Sequence, residues 1–264
     1  MDALFKFALF WYTIKMNKIE FVCTVPGLES IKELQPKPAK HFMPKWFKDV
    51  PMDLPMDMKV LPGALSGDGV STVKHCPSFP DYFSLGYILP MWCDSKLYVD
   101  PETQAWNWQT STQEFGWDIH GKNQFTRWTN PSLQGEESQF VFKASCPWRI
   151  ITPKGWSVLQ LPLFYHFNQK WSVLPGVIDT DIHHEINQQV LYHGKGGEIQ
   201  IDRGDPFVLY IPYERKSKIG LEIRAASEAD KKKFREKDVA ISTKFPPNGL
   251  YRKWQRERDK KDAR

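Results

Sequence analysis

Apolar and polar residues alternate with a period of two through most of this chain, in runs that are short and closed by Gly, Pro or Asn. "KIEFVCT" alternates in this way and predicts a first strand over Lys18–Thr24. The stretch "FVFKASCPWRIITPKGWSVLQLPLFYHF" predicts further strands, with Pro153-Lys154-Gly155 as the turn between two of them and Trp156, Leu159 and Leu161 facing the core. Residues 174–215 form a sequence of such units. A glycine-led turn carrying two acids is followed by an alternating run, a hairpin turn at Gly194–Gly197 and a second run. A Gly204-Asp205 turn then opens one more hydrophobic strand. Residues 73–99 read as a polar-aromatic turn and two strands, and 102–146 as hairpins and loops. Only "SEADKKKFREKD" reads as a helix, with Ser227 as N-cap, Asp230 three residues on and Phe234 on a charged surface. Many short strands with one late helix predict an all-β body and exclude a doubly wound α/β fold.

Two segments break the alternation. Pro36, Pro38, Pro44, Pro51 and Pro55 punctuate the region after the first strand and exclude a continuous helix. Phe42, Trp46 and Phe47 lie among them, so this region is expected to pack along the body as an extended strap rather than float as a linker. The opening "MDALFKFALFWYTIK" has an apolar run too short to cross a bilayer, and Met16 opens the alternating pattern. The expected organisation is therefore a loose extension over 1–15, a strand and Pro-rich strap over 16–72, a β core over 73–215, and a helix with basic tail over 216–264. A cytoplasmic protein with no membrane partner is expected.

Composition changes this picture in three places. Eleven Trp and 14% aromatics in 264 residues are high, a usage shared by β proteins and by ligand-gripping surfaces. The net charge of +5 is local: Lys231–Arg264 holds thirteen Lys or Arg against five Asp or Glu, so the remainder is slightly acidic. A nucleic-acid partner is expected only through this tail, whose mixed signs fit a solvated helix end better. Cys23, Cys76, Cys93 and Cys146 stand far apart, which argues against a disulfide framework and against a zinc site.

The order of strands and turns resembles the motifs of trimeric dUTPases. "TPKGWSVLQLPL" is similar to their second motif, "PGVIDTDIHHEI" to their third, "IDRGDPFVLYI" to their fourth, and "SLGYILPMWCD" is a faint echo of the first. This resemblance covers residues 84–213 and implies the β-clip fold shared by dUTPases and dCTP deaminases, as a distorted barrel or sandwich, with a homotrimer as the implied assembly. From Met16 onward, "KPAKHFMPKWFKDVP" and "CPSFPDYFSLGYILP" also resemble a bacteriophage protein family of cyanobacterial tailed phages, which implies phage origin and no particular activity. In dUTPases an aspartate of the third motif orients the attacking water, and Asp179 stands at that place. The same resemblance implies a nucleotide-contacting surface from Gly155, Trp156, Gly176, Val177, Ile178, Asp179 and Asp181. Other positions depart from the motifs. Ile182 replaces the sugar-packing tyrosine, Leu163 and Phe164 replace the phosphate-binding arginine and serine, and Ile88 and Leu209 replace an aspartate and a glutamine.

Two hydrophobes in place of a guanidinium and a hydroxyl remove the phosphate grip. The expected function is thus a non-catalytic binding or assembly module with a nucleotide or protein ligand. The alternative is a divergent pyrimidine-nucleotide hydrolase that uses Asp179 and magnesium. An aspartate just after a glycine-led turn has a more ordinary role, which is to cap its own turn through side-chain to backbone bonds. His183-His184-Glu185, with His166 and His193, is the metal candidate of the sequence. Adjacent residues of a strand face opposite ways, so His183 and His184 cannot hold one ion together. His183-x-Glu185 has the spacing of a two-His-one-carboxylate iron site and leaves an iron-dependent enzyme as a further alternative. Surface or hydrogen-bonded histidines, and no metal site, are the expectation.

Overall fold

The computed structural model describes residues 18–54, 70–103, 105–120, 141–194, 196–216, 219–242 and 250–262. Its strands are β1 (Glu20–Cys23), β2 (Lys37–Pro38), β3 (Asp53–Leu54), β4 (Val70–Ser71), β5 (Tyr87–Pro90), β6 (Ser95–Val99), β7 (Trp106–Thr110) and β8 (Trp117–His120). They continue with β9 (Val141–Ala144), β10 (Trp148–Ile151), β11 (Trp156–Leu161), β12 (Trp171–Val173), β13 (Gly176–Ile178), β14 (Gln188–Tyr192), β15 (Gly197–Ile201) and β16 (Pro206–Glu214). The helices are α1 (Lys45–Asp49), α2 (Ser78–Tyr82), α3 (Glu228–Ser242) and α4 (Leu250–Asp262). The all-β expectation holds: the assigned strand pairs are antiparallel.

The chain divides into two units. The first comprises Met1–Pro36, Leu89–Leu163 and Asn168–Lys216, and the second Lys37–Ile88, Phe164–Phe167 and Ser217–Arg264.

In the first unit, β13, β11, β16 and β5 lie side by side, β12-β14-β9-β8 and β15-β6-β7 form two more sheets, and β1 pairs with β10. Strand β16 is central. Phe207, Val208, Leu209 and Tyr210 are all buried, so this stretch has core on both faces, which explains a continuous apolar run instead of alternation. Phe207 is ringed by Trp92, Trp117 and Trp171 at centroid distances of 5.8, 6.3 and 5.4 Å, the first two edge-on. The tryptophans that composition left open between core and ligand surface are, at these positions, core. A chain of side-chain bonds crosses this core: the Gln188 amide nitrogen donates to the Tyr210 hydroxyl (2.7 Å), which donates to Gln160 Oε1 (3.1 Å). Gln160 in turn donates to the Leu174 carbonyl (3.0 Å).

Two turns and the burial of one strand depart from the sequence reading. Pro153–Gly155 does not close a hairpin, because β10 pairs with β1 while β11 pairs with β13 and β16. The Gly194–Gly197 stretch joins β14 and β15, which belong to different sheets. Gly196 sits there at φ +159°, where a Cβ would come 2.6 Å from Pro101 Cα. Turn residues report where the chain reverses but not which strand it then joins. Along β11, Ser157, Val158 and Gln160 are buried and the expected core residues Trp156, Leu159 and Leu161 only half-buried, so the burial of this strand lies on other positions than expected.

In the second unit β3 pairs with β4, and β2 pairs with Tyr87 and Ile88 of β5. The Pro-rich segment is not fully extended: α1 starts after Pro44 and ends at Asp49, before Val50, whose backbone is held extended (ψ 131°) by the following Pro51. Trp46 and Phe47 pack among Phe79, Phe83 and Tyr165, with the Trp46 indole donating to the Tyr165 carbonyl (2.7 Å). Phe167 here holds a positive φ of 52°. Helix α3 begins as expected: Ser227 Oγ accepts from the Asp230 N–H (3.2 Å) and the Asp230 carboxylate accepts from the Ser227 N–H (2.9 Å), a reciprocal cap. The single expected helix becomes two C-terminal helices. Helix α4 was read as a tail because it lacks an apolar stripe, and it is tied down by polar contacts instead. Arg252 and Gln255 both donate to Asp81, at 2.5 and 2.8 Å. Residues 1–15, expected as a loose extension, lie outside the described residues.

If β16 organises the first unit, Phe207→Ala should lose about 3–5 kcal/mol in urea unfolding. Leu161→Ala, at a half-buried position of β11, should lose only about 1 kcal/mol. Equal losses at the two positions would overturn the central place of β16.

Candidate functional site

Antiparallel pairing brings three strand ends to one corner of the first unit. Trp156 stands opposite Glu214, and Val158 opposite Ile178, so the residue before β11, the residues after β13 and the residue after β16 become neighbours. Gly155, at φ +88°, makes the turn into β11, a backbone conformation that favours glycine. The main chain joins this corner first, with the Arg215 N–H donating to the Gly155 carbonyl (2.9 Å).

Side chains complete the corner. Arg215 reaches back across it and donates to the Trp156 carbonyl (2.8 Å), Ser157 Oγ (2.8 Å) and Asp179 Oδ1 (3.2 Å). Its two terminal nitrogens hold Asp181 as a fork, at 2.8 and 2.6 Å. The Asp181 carboxylate also accepts the Gly155 N–H (2.7 Å), and the Ser157 hydroxyl donates to Asp179 Oδ1 (2.6 Å). The Asp181 side chain is 4% exposed and that of Asp179 50%. The Arg215 guanidinium, then the Gly155 N–H, hold the Asp181 carboxyl down from its ordinary 3.8 to about 2. Asp181 in turn raises Arg215 further.

Of the expected site residues, Gly155, Asp179 and Asp181 thus come together, and Trp156 contributes its carbonyl. Ser157 and Arg215 were missed: one hydroxyl in an apolar run and one arginine at a strand end become meaningful only once the register is known. Gly176 is paired with Gln160, Ile178 packs against the core, and Val177 points outward at 60% exposure on the edge strand. The Asp179 carboxylate does not cap its own turn. The turn is closed by the Asp179 carbonyl, which accepts the N–H groups of Ile182 and His183 (both 2.9 Å), while the side chain crosses to other strands. Ile182 is 76% exposed. Ile88 and Leu209, where the resemblance would require polar side chains, are each buried.

The other candidates resolve into local structure. His183 and His184 lie at the end of the Asp179 turn, not on a strand as expected, and the His184 ring pairs with the Thr180 carbonyl (2.9 Å). His193 pairs with Ser172 (3.0 Å), and His166, in the second unit, is pushed below its ordinary pKa by burial. Among the described residues no group of three or more His, Cys, Asp or Glu is placed to hold a metal ion. The cysteines are unpaired, and burial raises the Cys146 thiol to about 12, so it stays protonated and inert. The Gly204-Asp205 turn is fastened to the segment before β6: Met91 exchanges main-chain bonds with Asp205 and Gly204 (both 2.8 Å). In the second unit a cleft of about 730 Å³ is lined by Lys74, Asp81, Arg252, Arg256 and Arg258. Its cations are largely engaged: Arg252 with Asp81, Arg258 with Asp259, and Lys74 with the Lys48 carbonyl. Among the described residues no helix is long and apolar enough to cross a membrane.

The Asp181–Arg215 fork predicts a pH response. A carboxyl whose folded pKa lies below its unfolded value stabilises the fold fully above the unfolded value. It loses that contribution as pH falls through the folded one. Asp181→Asn should therefore lower Tm at pH 7, and the difference from the parent should shrink between about pH 4 and pH 2. A constant difference over that window, read by circular dichroism melts, would remove the ion pair from the account.

No protein-family model, curated protein or solved structure matches the chain.

Proposed function

We propose that this protein is a non-catalytic, β-clip-like module of tailed-phage type that works by binding or assembling with a protein partner. The observation that carries the reading is the engagement of the Asp179 corner with itself. Two carboxylates and one guanidinium leave it a net negative charge, and Arg215 already serves Asp179, Asp181, Ser157 and a carbonyl. A triphosphate approaching Asp179 would meet repulsion from both acids and would have to displace one of them to reach the guanidinium. The places where the resembled enzymes keep phosphate donors hold Leu163 and Phe164, and loss of one such donor costs about 2.7–4 kcal/mol of transition-state stabilisation. The corner acts as a clasp. It pins the turn into β11 to the turn after β13 and to the end of β16, and it gives the module a rigid edge at Gly176–Ile178.

The test is turnover. Incubation of the purified chain with dUTP and magnesium should release pyrophosphate no faster than buffer, and Asp179→Asn should leave that rate unchanged. Magnesium-dependent release that disappears in Asp179→Asn would overturn the reading in favour of a divergent hydrolase.

A further inference from the structure

The segment just before α3, "IGLEIRAA" at 219–226, runs without helix, strand, turn or bend. Ile219, Leu221 and Ile223 recur every second residue and are 94%, 89% and 87% exposed. Three large aliphatics in water at strand spacing form a face that a pleated partner would cover. The arm is not left to wander. Arg224 forks onto Asp230 at the start of α3 (2.5 and 3.1 Å), and Ser227 caps the same helix, so its C-terminal end is presented from a fixed support. A Cβ on Gly220 would meet nothing within 4 Å, which leaves that stretch of backbone open.

We propose that residues 219–226 form an antiparallel β-ribbon with the same segment of a second copy of this chain, centred on Ile223. The occupant and register follow from charge. An isologous antiparallel pair places residue i opposite a residue set by the two-fold axis, on the same face. An axis through Leu221 would set Arg224 against Lys218, and an axis through Glu222 would set that acid against itself. Like charges directly opposite destabilise a pair. An axis through Ile223 sets Glu222 against Arg224 twice, Ile223 against Ile223 and Leu221 against Ala225, with the aliphatics of both copies on one face. Glu222 already lies 4.0 Å from the Arg224 Nε of its own chain, the side of the guanidinium turned away from the Asp230 fork. The arm is thus self-complementary, and each copy supplies both charges.

This inference rests on the assembly reading above only in giving it a partner, and dUTP turnover would not touch it. A ribbon this short buries well under the ~800 Å² per partner of a stable interface, so association should be concentration-dependent. Sedimentation from ~10 to ~500 µM should show a monomer–dimer equilibrium. Glu222→Lys should weaken it at least tenfold with Tm unchanged, because the position is exposed. Register is read by cross-linking in a Cys76→Ser background. Ile223→Cys meets its own copy about 4.5–5.5 Å away between Cα atoms and should oxidise to a covalent dimer. Ile219→Cys faces Ser227 and should not. A chain that stays monomeric over the whole range, a dimer indifferent to Glu222→Lys, or equal cross-linking at both positions would each overturn the proposal.

Discussion

A strand with core on both faces is the constraint from which the first unit follows. From Phe207 to Tyr210, β16 meets no water on either side, so its neighbours must supply both hydrogen-bonded edges and two apolar layers. Strand β11 takes one edge along Trp156–Leu161, and three tryptophans close around Phe207. The polar Tyr210 hydroxyl is tolerated because Gln188 and Gln160 meet it from β14 and β11, which ties three strands at one buried point. Burial raises the Tyr210 phenol well above its ordinary range, against the opposing pull of the Gln188 bond, so it serves as a neutral hydrogen-bonding hub.

The same strand ends in the corner that holds Asp179 and Asp181. Arg215 is positioned by its place one residue beyond β16, and its partners by the antiparallel register with β11 and β13. An aspartate poised for chemistry keeps its carboxylate directed at a ligand. Here Asp181 is buried against a guanidinium and a main-chain N–H, and Asp179 accepts from a serine and the same arginine. Both acids act as fasteners between turns. The corner thereby holds the edge strand β13 in place beside it.

The second unit obeys a different economy. Its strands are two residues long among those described, and its packing comes from aromatic rings around Tyr165 and from ion pairs such as Arg252–Asp81. It also exposes Phe164, Phe167, Ile219, Leu221 and Ile223.

The fold class was legible in the sequence because alternation with period two is a local property: each short run declares a half-buried strand by itself. The cap of α3 was legible for the same reason, since Ser227 and Asp230 are three residues apart. Helix α4 was not, because its anchor, Asp81, lies far away in the chain and its own surface carries no apolar stripe. Alternation could not tell which positions of β11 are buried, since neighbouring strands, not the run itself, decide where the core lies. The candidate corner was half legible. The glycine-led turn with Asp179 and Asp181 announced itself as a motif, but whether those acids act or brace depends on Ser157 and Arg215, which only strand register brings to them. Sequence determined the elements and the chemistry available at each turn. Tertiary structure decided which turns meet, because an ion pair or a hydrogen bond forms by distance in space, which spacing along a β chain does not encode.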